Sequence, residues 1–337
     1  MRKTQVIVNM QFYDLVKEEL ELLEKEIERT IPVDPKEVYQ MLLPYIKRGG
    51  KRIRPTLAFL CCNAVGGNSQ KIIKPAAIIE LFHNFTLIHD DIEDNSDMRR
   101  GEPTLHKIYG IPVALNSGDA FYTSIWQAIL DLELKEKDKI SLAKLYGSAF
   151  RRVVEGQGIE LNWHIKNNFD ISENDYLNMI SGKTAALLGL SCELGAYLGG
   201  ANKSNTNSLK SAGEYLGFSF QIKDDVLNLT GDFEKYKKEI GGDISEGKRT
   251  LMIIHALKNA NEQEKRFIKE ILSSHSKNQD DLNRVISIIK DTGAIIYANK
   301  KAEEFKSKAF KIINDLKDSQ AKNALNQLAE YVINRER

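Results

Sequence analysis

Asp90, Asp91 and Asp94, in the stretch LIHDDIEDNSDMRRG, are the side chains here whose type and spacing best suit chemistry. On a helix, positions i and i+4 project from one face about a turn apart, and His83 falls on nearly the same stripe as Asp90. The cluster follows apolar Leu87-Ile88 in a segment that reads as a central helix. Three carboxylates there are costly to bury unless a cation sits among them. Carboxylate oxygens suit a hard dication such as Mg²⁺, not a soft metal. Asp224 and Asp225, followed by Asn228, repeat the pattern in GFSFQIKDDVLNLTGD, again between apolar flanks. Two such helices are expected to face each other across a cavity and hold metal between them, with waters and substrate phosphates completing the shell. Asp131, Glu133 and Asp280-Asp281 sit among lysines or polar residues and read as solvated faces.

Cations occur in the matching complement. GGKRIRP is a glycine-led turn entering a helix, with Lys51 and Arg54 three apart, and such a helix start can hold an anion. Arg99 and Arg100 follow the first acidic cluster, Lys183-Thr184 lies in ISGKTAALLG, and Lys238 and Lys248 flank GGDISEG. Two diphosphate groups would need this set, one chelated through metal and one held by direct charge-assisted hydrogen bonds. Each piece also has a plainer reading: GKRIR as a basic surface turn, GGDISEGKR as a solvent loop, His83 and His89 as satisfied core histidines. SGKT is not a P-loop, because Leu177 stands where the earlier glycine is required.

The elements that must carry these residues read as helices. The chain has 337 residues, and all seven prolines lie at or before Pro112, which leaves a long proline-free run better suited to stacked helices than to sandwich strands. Asp34 as N-cap, Pro35 at the first helical position and Glu37 at the third predict a helix start near residue 35, and Ser172 with Asp175 predicts another. Helical segments follow at roughly 72–96, 113–135, 139–167, 173–200, 206–230, 250–273, 280–318 and 320–334. Those at 72–96 and 173–230 are apolar over much of their circumference, as central bundle helices are. The lysine-rich C-terminal third is more narrowly amphipathic and is expected to pack outside. The breaks are too short to be domain linkers, so one domain is expected.

A net charge of +1 excludes the long-range field of a nucleic-acid binder. Three cysteines, two of them adjacent at Cys61 and Cys62 and the third at Cys192, make neither a disulfide framework nor a zinc site. They predict buried thiols in a reducing compartment. No segment reaches the length of a membrane span and none at the N-terminus reads as a secretion signal, so a soluble, cytoplasmic protein is expected.

The ordered set GGKRIRP, ELFHNFTLIHDDIEDNSDMRRGEP, GKTA, FQIKDD and GGDISEGKRT resembles the trans-isoprenyl diphosphate synthases, the head-to-tail prenyltransferases. The resemblance runs over about residues 36–250, and the outer helices of 251–337 are compatible with it. It implies a single all-α prenyltransferase domain, a multi-helix bundle around a deep central cavity (the isoprenoid synthase fold), usually a homodimer. The implied reaction joins isopentenyl diphosphate to dimethylallyl, geranyl or farnesyl diphosphate with Mg²⁺-assisted ionisation. Position by position, Asp90, Asp91 and Asp94 resemble the first aspartate-rich motif and Asp224 with Asp225 the second, together holding three Mg²⁺ on the allylic diphosphate. Lys51, Arg54, His83 and Arg100 resemble the isopentenyl diphosphate contacts. Arg99, Lys183, Thr184, Gln221, Lys238 and Lys248 resemble the allylic diphosphate contacts, with Lys183 and Lys248 counted in the catalytic set. Asn228 departs from the pattern where many members carry a third aspartate.

By the same resemblance Phe85, followed by Thr86, is a floor that stops elongation. The helical wheel puts Phe85 off the Asp90 stripe, so that role comes from likeness and not from spacing. Geranylgeranyl diphosphate is the favoured product, with farnesyl diphosphate the alternative. A class I terpene cyclase would have little use for GGKRIRP, and a noncatalytic synthase subunit often loses acidic ligands that are intact here.

Overall fold

The computed structural model describes residues 11–230 and 241–333. These residues are helical, with one minimal hairpin as the exception. In chain order the helices are α1 (Gln11–Asp14), α2 (Lys17–Thr30), α3 (Lys36–Tyr39), α4 (Leu42–Ile46), α5 (Ile53–Ala64), α6 (Ile73–Glu93), α7 (Leu105–Tyr109), α8 (Ile111–Leu130) and α9 (Glu136–Ile165). There follow α10 (Glu173–Ile180), a π-helical turn (Ser181–Ala185), α11 (Ala186–Leu198) and α12 (Lys203–Thr230). The last are α13 (Gly242–Ser245), α14 (Leu251–Asn259), α15 (Glu262–Ser274), α16 (Gln279–Asp291), α17 (Ala294–Asn314) and α18 (Gln320–Ile333).

By chain contacts there are two compact units. The first comprises Met1–Gly147, Leu190–Lys210 and Ile313–Leu328. Its centre is α6, which buries residues all round its circumference, from Ala76, Ile79 and Phe82 to the polar Glu80, Asn84 and Asp91. The N-terminal half of α6 is buried on every side and packs against α2, α5 and α8, whereas His83, Thr86, Leu87 and Asp90 form one half-buried stripe along its C-terminal half. Glycines allow the tightest approach in this unit: a Cβ on Gly195 of α11 would stand 2.1 Å from the Ala58 carbonyl oxygen of α5. Cys61, Cys62 and Cys192 are all free and buried here, as expected of thiols used for packing.

The second unit comprises Ser148–Gly189, Ser211–Ile312 and Ala329–Arg337. Its core joins Tyr176, Met179 and Ile180 of α10, Ile222, Val226 and Leu229 of α12, and the apolar stripes of α14 to α17. The C-terminal helices are amphipathic, as their lysine-rich sequence requires; α16 buries Leu282, Val285, Ile286, Ile288 and Ile289. Capping is explicit in the sequence: Ser172 and Asp175 form a reciprocal box at α10, Asn261 and Glu264 another at α15, and Thr250 accepts from the Ile253 amide at α14.

Four local expectations are corrected. Asp34 does not cap the helix near residue 35; Pro35 holds the cap position without a side-chain bond, and that helix is one turn long. The 72–96 segment ends at Glu93 and is followed by the strands Met98–Arg99 and Glu102–Pro103. Arg100 and Gly101 between them have φ of 55° and 79°, the left-handed pair that a two-residue hairpin loop demands. The 280–318 segment is two helices, parted at Gly293 with φ 71°. The 173–200 segment is interrupted by the π-turn at Ser181–Ala185.

Candidate active site

In the first unit, Asp90, Asp91 and Asp94 close the C-terminal turn of α6, where the Asp94 amide donates to the Asp90 carbonyl at 2.9 Å. Their environments differ. The Asp91 side chain is 2% exposed, whereas that of Asp90 is 23% exposed. Asp91 accepts from the Tyr45 hydroxyl at 2.9 Å and from Arg99 Nε at 2.7 Å. Burial raises its pKa above the usual carboxylate range, against the pull of Arg99 and Tyr45. Burial also raises the Tyr45 phenol, and the Asp91 charge adds to the rise. Arg99, on the hairpin, reaches Asp90 as well, at 3.4 Å. The hairpin is anchored by Arg48, which donates to the Pro103 carbonyl at 2.8 Å and pairs with Glu102.

The basic set lies in the same unit. Burial lowers the His83 pKa well below its ordinary value, and the charges of Arg54, Arg100, Arg99 and Arg52 lower it further. Those four guanidiniums come from the GGKRIRP turn and the hairpin, so the fold brings together groups far apart in sequence around a neutral imidazole. A Cβ on Gly50 would stand 3.1 Å from Arg52 Nη1 and 3.3 Å from Arg100 Nη2, so the turn passes close to both guanidiniums. Lys51 is exposed, and its carbonyl accepts from the Tyr13 hydroxyl. Arg52 is different: it is 8% exposed, has φ 47°, and bonds Glu24 at 2.6 Å and Glu80 at 2.9 Å. His89 is half-buried, its ring tilted against Phe85 at 4.7 Å between centroids and 3.6 Å from Asp119.

In the second unit, Asp225 is buried on α12 and accepts from the Tyr176 hydroxyl at 2.7 Å and from Gln221 Nε2 at 2.8 Å. Its pKa is pushed up to about 8 by burial and by the charge of Asp243, with Asp224 adding to the rise. Thr184 donates to Gln221 Oε1 at 2.7 Å, so Thr184, Gln221, Asp225 and Tyr176 form one hydrogen-bonded chain. Lys183 pairs with Glu160 of α9. Burial alone would raise Glu160; Lys183 and Lys248 outweigh it and bring the carboxyl down to about 2. Lys248 pairs with Glu246 at 2.6 Å and Asp243 at 3.4 Å. A small recess between these helices is lined by Asp225, Asp243, Lys248 and apolar Leu229, Ile244 and Ile253. Asn228 Oδ1 accepts from the Asp243 amide at 3.1 Å, so the oxygen that replaces a third aspartate binds the first turn of α13.

Lys238 lies outside the described residues. Phe85 is buried and stacks on Tyr122 at 4.9 Å, with Phe82 at 5.5 Å, while Thr86 turns its hydroxyl back to the His83 carbonyl. Five residues of the site went unnoticed in the sequence: Tyr45, Arg52, Glu160, Tyr176 and Asp243. Arg52 stood inside GGKRIRP, and GGDISEGKRT holds Asp243 between the two lysines, so position could have flagged both. Tyr45, Tyr176 and Glu160 carry no local signal, because their partners come from elsewhere in the chain.

Among the described residues, no three His, Cys, Asp or Glu side chains gather so as to hold a metal ion by themselves. The donor chemistry nonetheless fits a hard dication. Asp243 and Asp224 both raise the cost of charging Asp225, and Mg²⁺ typically takes one or two carboxylates and completes its shell with water and phosphate.

The polyprenyl synthetase family model matches residues 35–289. The short chain isoprenyl diphosphate synthase of Methanothermobacter thermautotrophicus is 34% identical over 97% of this chain and 99% of its own. The crystal structure of a geranylgeranyl pyrophosphate synthetase from Pyrococcus horikoshii superposes with a TM-score of 0.90 at 34% identity, over 96% of this chain and 98% of that one. A polyprenyl synthase from Caulobacter crescentus, complexed with calcium and isoprenyl diphosphate, superposes with a TM-score of 0.86 at 25% identity over 97% of each chain. With paired aspartates and clustered cations placed as above, and matches that run nearly end to end, the chain belongs to the polyprenyl synthetase family, enzymes that transfer prenyl groups.

Proposed function

We propose that this chain condenses isopentenyl diphosphate with an allylic diphosphate (dimethylallyl, geranyl or farnesyl), releases diphosphate, and makes chiefly geranylgeranyl diphosphate. The observation that carries the reading is the placement of Arg54, Arg99 and Arg100 near neutral His83, a field suited to a diphosphate, beside an acidic α6 terminus suited to a metal. Lys51, Arg54, His83 and Arg100 take the isopentenyl diphosphate. Arg99, Lys183, Thr184, Gln221 and Lys248, with Lys238, take the allylic one. Asp90, Asp91, Asp94, Asp224 and Asp225 hold divalent cations, three Mg²⁺ when the diphosphate is bound, which stabilise the leaving group as Lewis acids.

Breaking the allylic C–O bond leaves a carbocation and puts negative charge on the departing diphosphate. Lys183 and Lys248 act on that charge as it grows, so they lower the barrier more than they tighten the ground state. The isopentenyl double bond then attacks the allylic carbon, and a proton is lost to the released diphosphate. Water would quench the cation, so the prenyl chain needs an apolar, closed surrounding during turnover. A homodimer is supported by the apolar side chains α8 leaves exposed, among them Ile111, Val113, Leu115 and Leu130. A cytoplasmic location is supported by the three free cysteines.

The test is a purified-protein assay with Mg²⁺, isopentenyl diphosphate and each allylic primer in turn, products being identified by mass. Condensation to C20 is expected. Allylic turnover without isopentenyl consumption would indicate a cyclase, and inertness a noncatalytic subunit. Phe85, stacked against Tyr122, is the proposed elongation floor, so Phe85→Ala shifts the product distribution to longer chains. An unchanged chain-length profile removes Phe85 from that role.

A further inference from the structure

The π-turn Ser181–Ala185 carries Lys183 and Thr184, which reach in different directions: Lys183 to Glu160 on α9, Thr184 to Gln221 on α12. A π-turn inserts a residue into helical register and is sustained only where its surroundings compensate for the poorer backbone bonding. Here the compensation is visible. A Cβ on Gly182 would stand 2.4 Å from the Arg152 carbonyl oxygen, one on Gly156 2.3 Å from the Lys183 amide nitrogen, and one on Gly217 2.5 Å from the Ala185 Cα. Backbone therefore meets backbone on two sides of the turn.

One side chain closes the arrangement. Arg152 Nη2 donates to the Ser181 carbonyl at 3.2 Å and to its hydroxyl at 2.8 Å, while Nη1 bonds Glu214 of α12. The guanidinium thus ties the first residue of the π-turn to α12, the helix that carries Gln221 and Asp225. The planar guanidinium holds its two nitrogens apart in a fixed fork, so it reaches partners on two elements with a geometry that a single ammonium nitrogen does not reproduce.

We propose that Arg152, held by Glu214, is a positioning residue that keeps the π-turn in register and so sets Lys183 and Thr184 for the allylic diphosphate. The inference rests on the proposed assignment of those two residues to that substrate. Without Arg152 the turn relaxes toward ordinary helical register, and the ammonium and hydroxyl rotate away from their common target.

Arg152→Gln and Arg152→Lys are compared with Ser181→Ala, which removes one acceptor and little volume. Loss of the charge-assisted bonds in Arg152→Gln is expected to raise KM for the allylic diphosphate about tenfold or more, with KM for isopentenyl diphosphate within about twofold. Titration of inorganic diphosphate with Mg²⁺ by calorimetry is expected to show the same loss of affinity. Arg152→Lys recovers part of it, and Ser181→Ala loses about two- to threefold. Unchanged allylic KM and diphosphate affinity in Arg152→Gln would overturn the proposal, as would equal rises in both KM values that track a lowered Tm. Should Arg152→Gln not fold, Ser181→Ala decides: normal diphosphate affinity counts against the proposal. If the wild type consumes no isopentenyl diphosphate, the condensation reading fails, while the calorimetric comparison still decides the role of Arg152.

Discussion

Asp90→Ala and Asp224→Ala each lower turnover by about 10²–10³-fold or more, while the helical circular dichroism stays that of the wild type. The expectation follows from where the two side chains sit. Each opens its pair, Asp90 before Asp91 and Asp224 before Asp225. In each pair the second carboxylate is buried and bonded, Asp91 to Tyr45 and Arg99, Asp225 to Tyr176 and Gln221. Asp90 and Asp224 remain half-buried, so alanine there removes a charge without opening a void in the core. On the proposed metal assignment the diphosphate leaving group would lose a cation that its developing charge requires, and the barrier would rise by several kcal/mol. Steady-state rates with isopentenyl and allylic diphosphates at saturating Mg²⁺ provide the check. Near-normal rates in either variant would break the metal assignment of that pair.

Arg52→Ala should be the most damaging single change to stability in the basic set. Its guanidinium is shared between Glu80, which is 3% exposed, and Glu24, whose side chain is 46% exposed. The Glu24 arm is close enough to water to contribute little. The Glu80 arm is another matter, since truncating Arg52 leaves a carboxylate buried in the middle of α6, a loss of about 3–5 kcal/mol. Arg100 adds favourable charge near Glu80 and offsets a part of that. Thermal unfolding should show a Tm lowered by several degrees, and Arg52→Lys should restore little, because one ammonium cannot span two carboxylates in the geometry of the fork. KM for isopentenyl diphosphate should rise as well, because Arg52 sits between Lys51 and Arg54 and fixes the start of α5. A melting temperature equal to that of the wild type would show that Glu80 finds another partner.

Much of the helical architecture was legible because its causes are local. Ser172 and Asp175 close a capping box whatever surrounds them, and the apolar circumference of 72–93 already demands a central position. The acidic pairs were legible for the same reason, as carboxylates in an otherwise apolar helix. What escaped has non-local causes. Tyr45 lies 46 residues from Asp91 and Tyr176 lies 49 residues from Asp225, so nothing in either neighbourhood marks the tyrosine. The hairpin at 98–103 rests on two residues in left-handed conformation, and one of them is Arg100, a type that rarely signals it. The π-turn depends on Gly156 and Gly217, on helices that contact it only after folding.

In GGKRIRP the outer cations have the spacing that suits an anion, while the middle arginine is buried and bonded to Glu24 and Glu80. A run of basic residues therefore divides by burial, which spacing alone does not reveal.

The proposed mechanism has carboxylate-held divalent cations drive the departure of diphosphate from the allylic carbon. Its most direct test follows isopentenyl diphosphate condensation by the purified protein while Mg²⁺ is stripped with a chelator and then returned. Product formation is expected to stop with the metal gone and to resume in proportion to the Mg²⁺ restored. Condensation that continues undiminished in the chelator would contradict it.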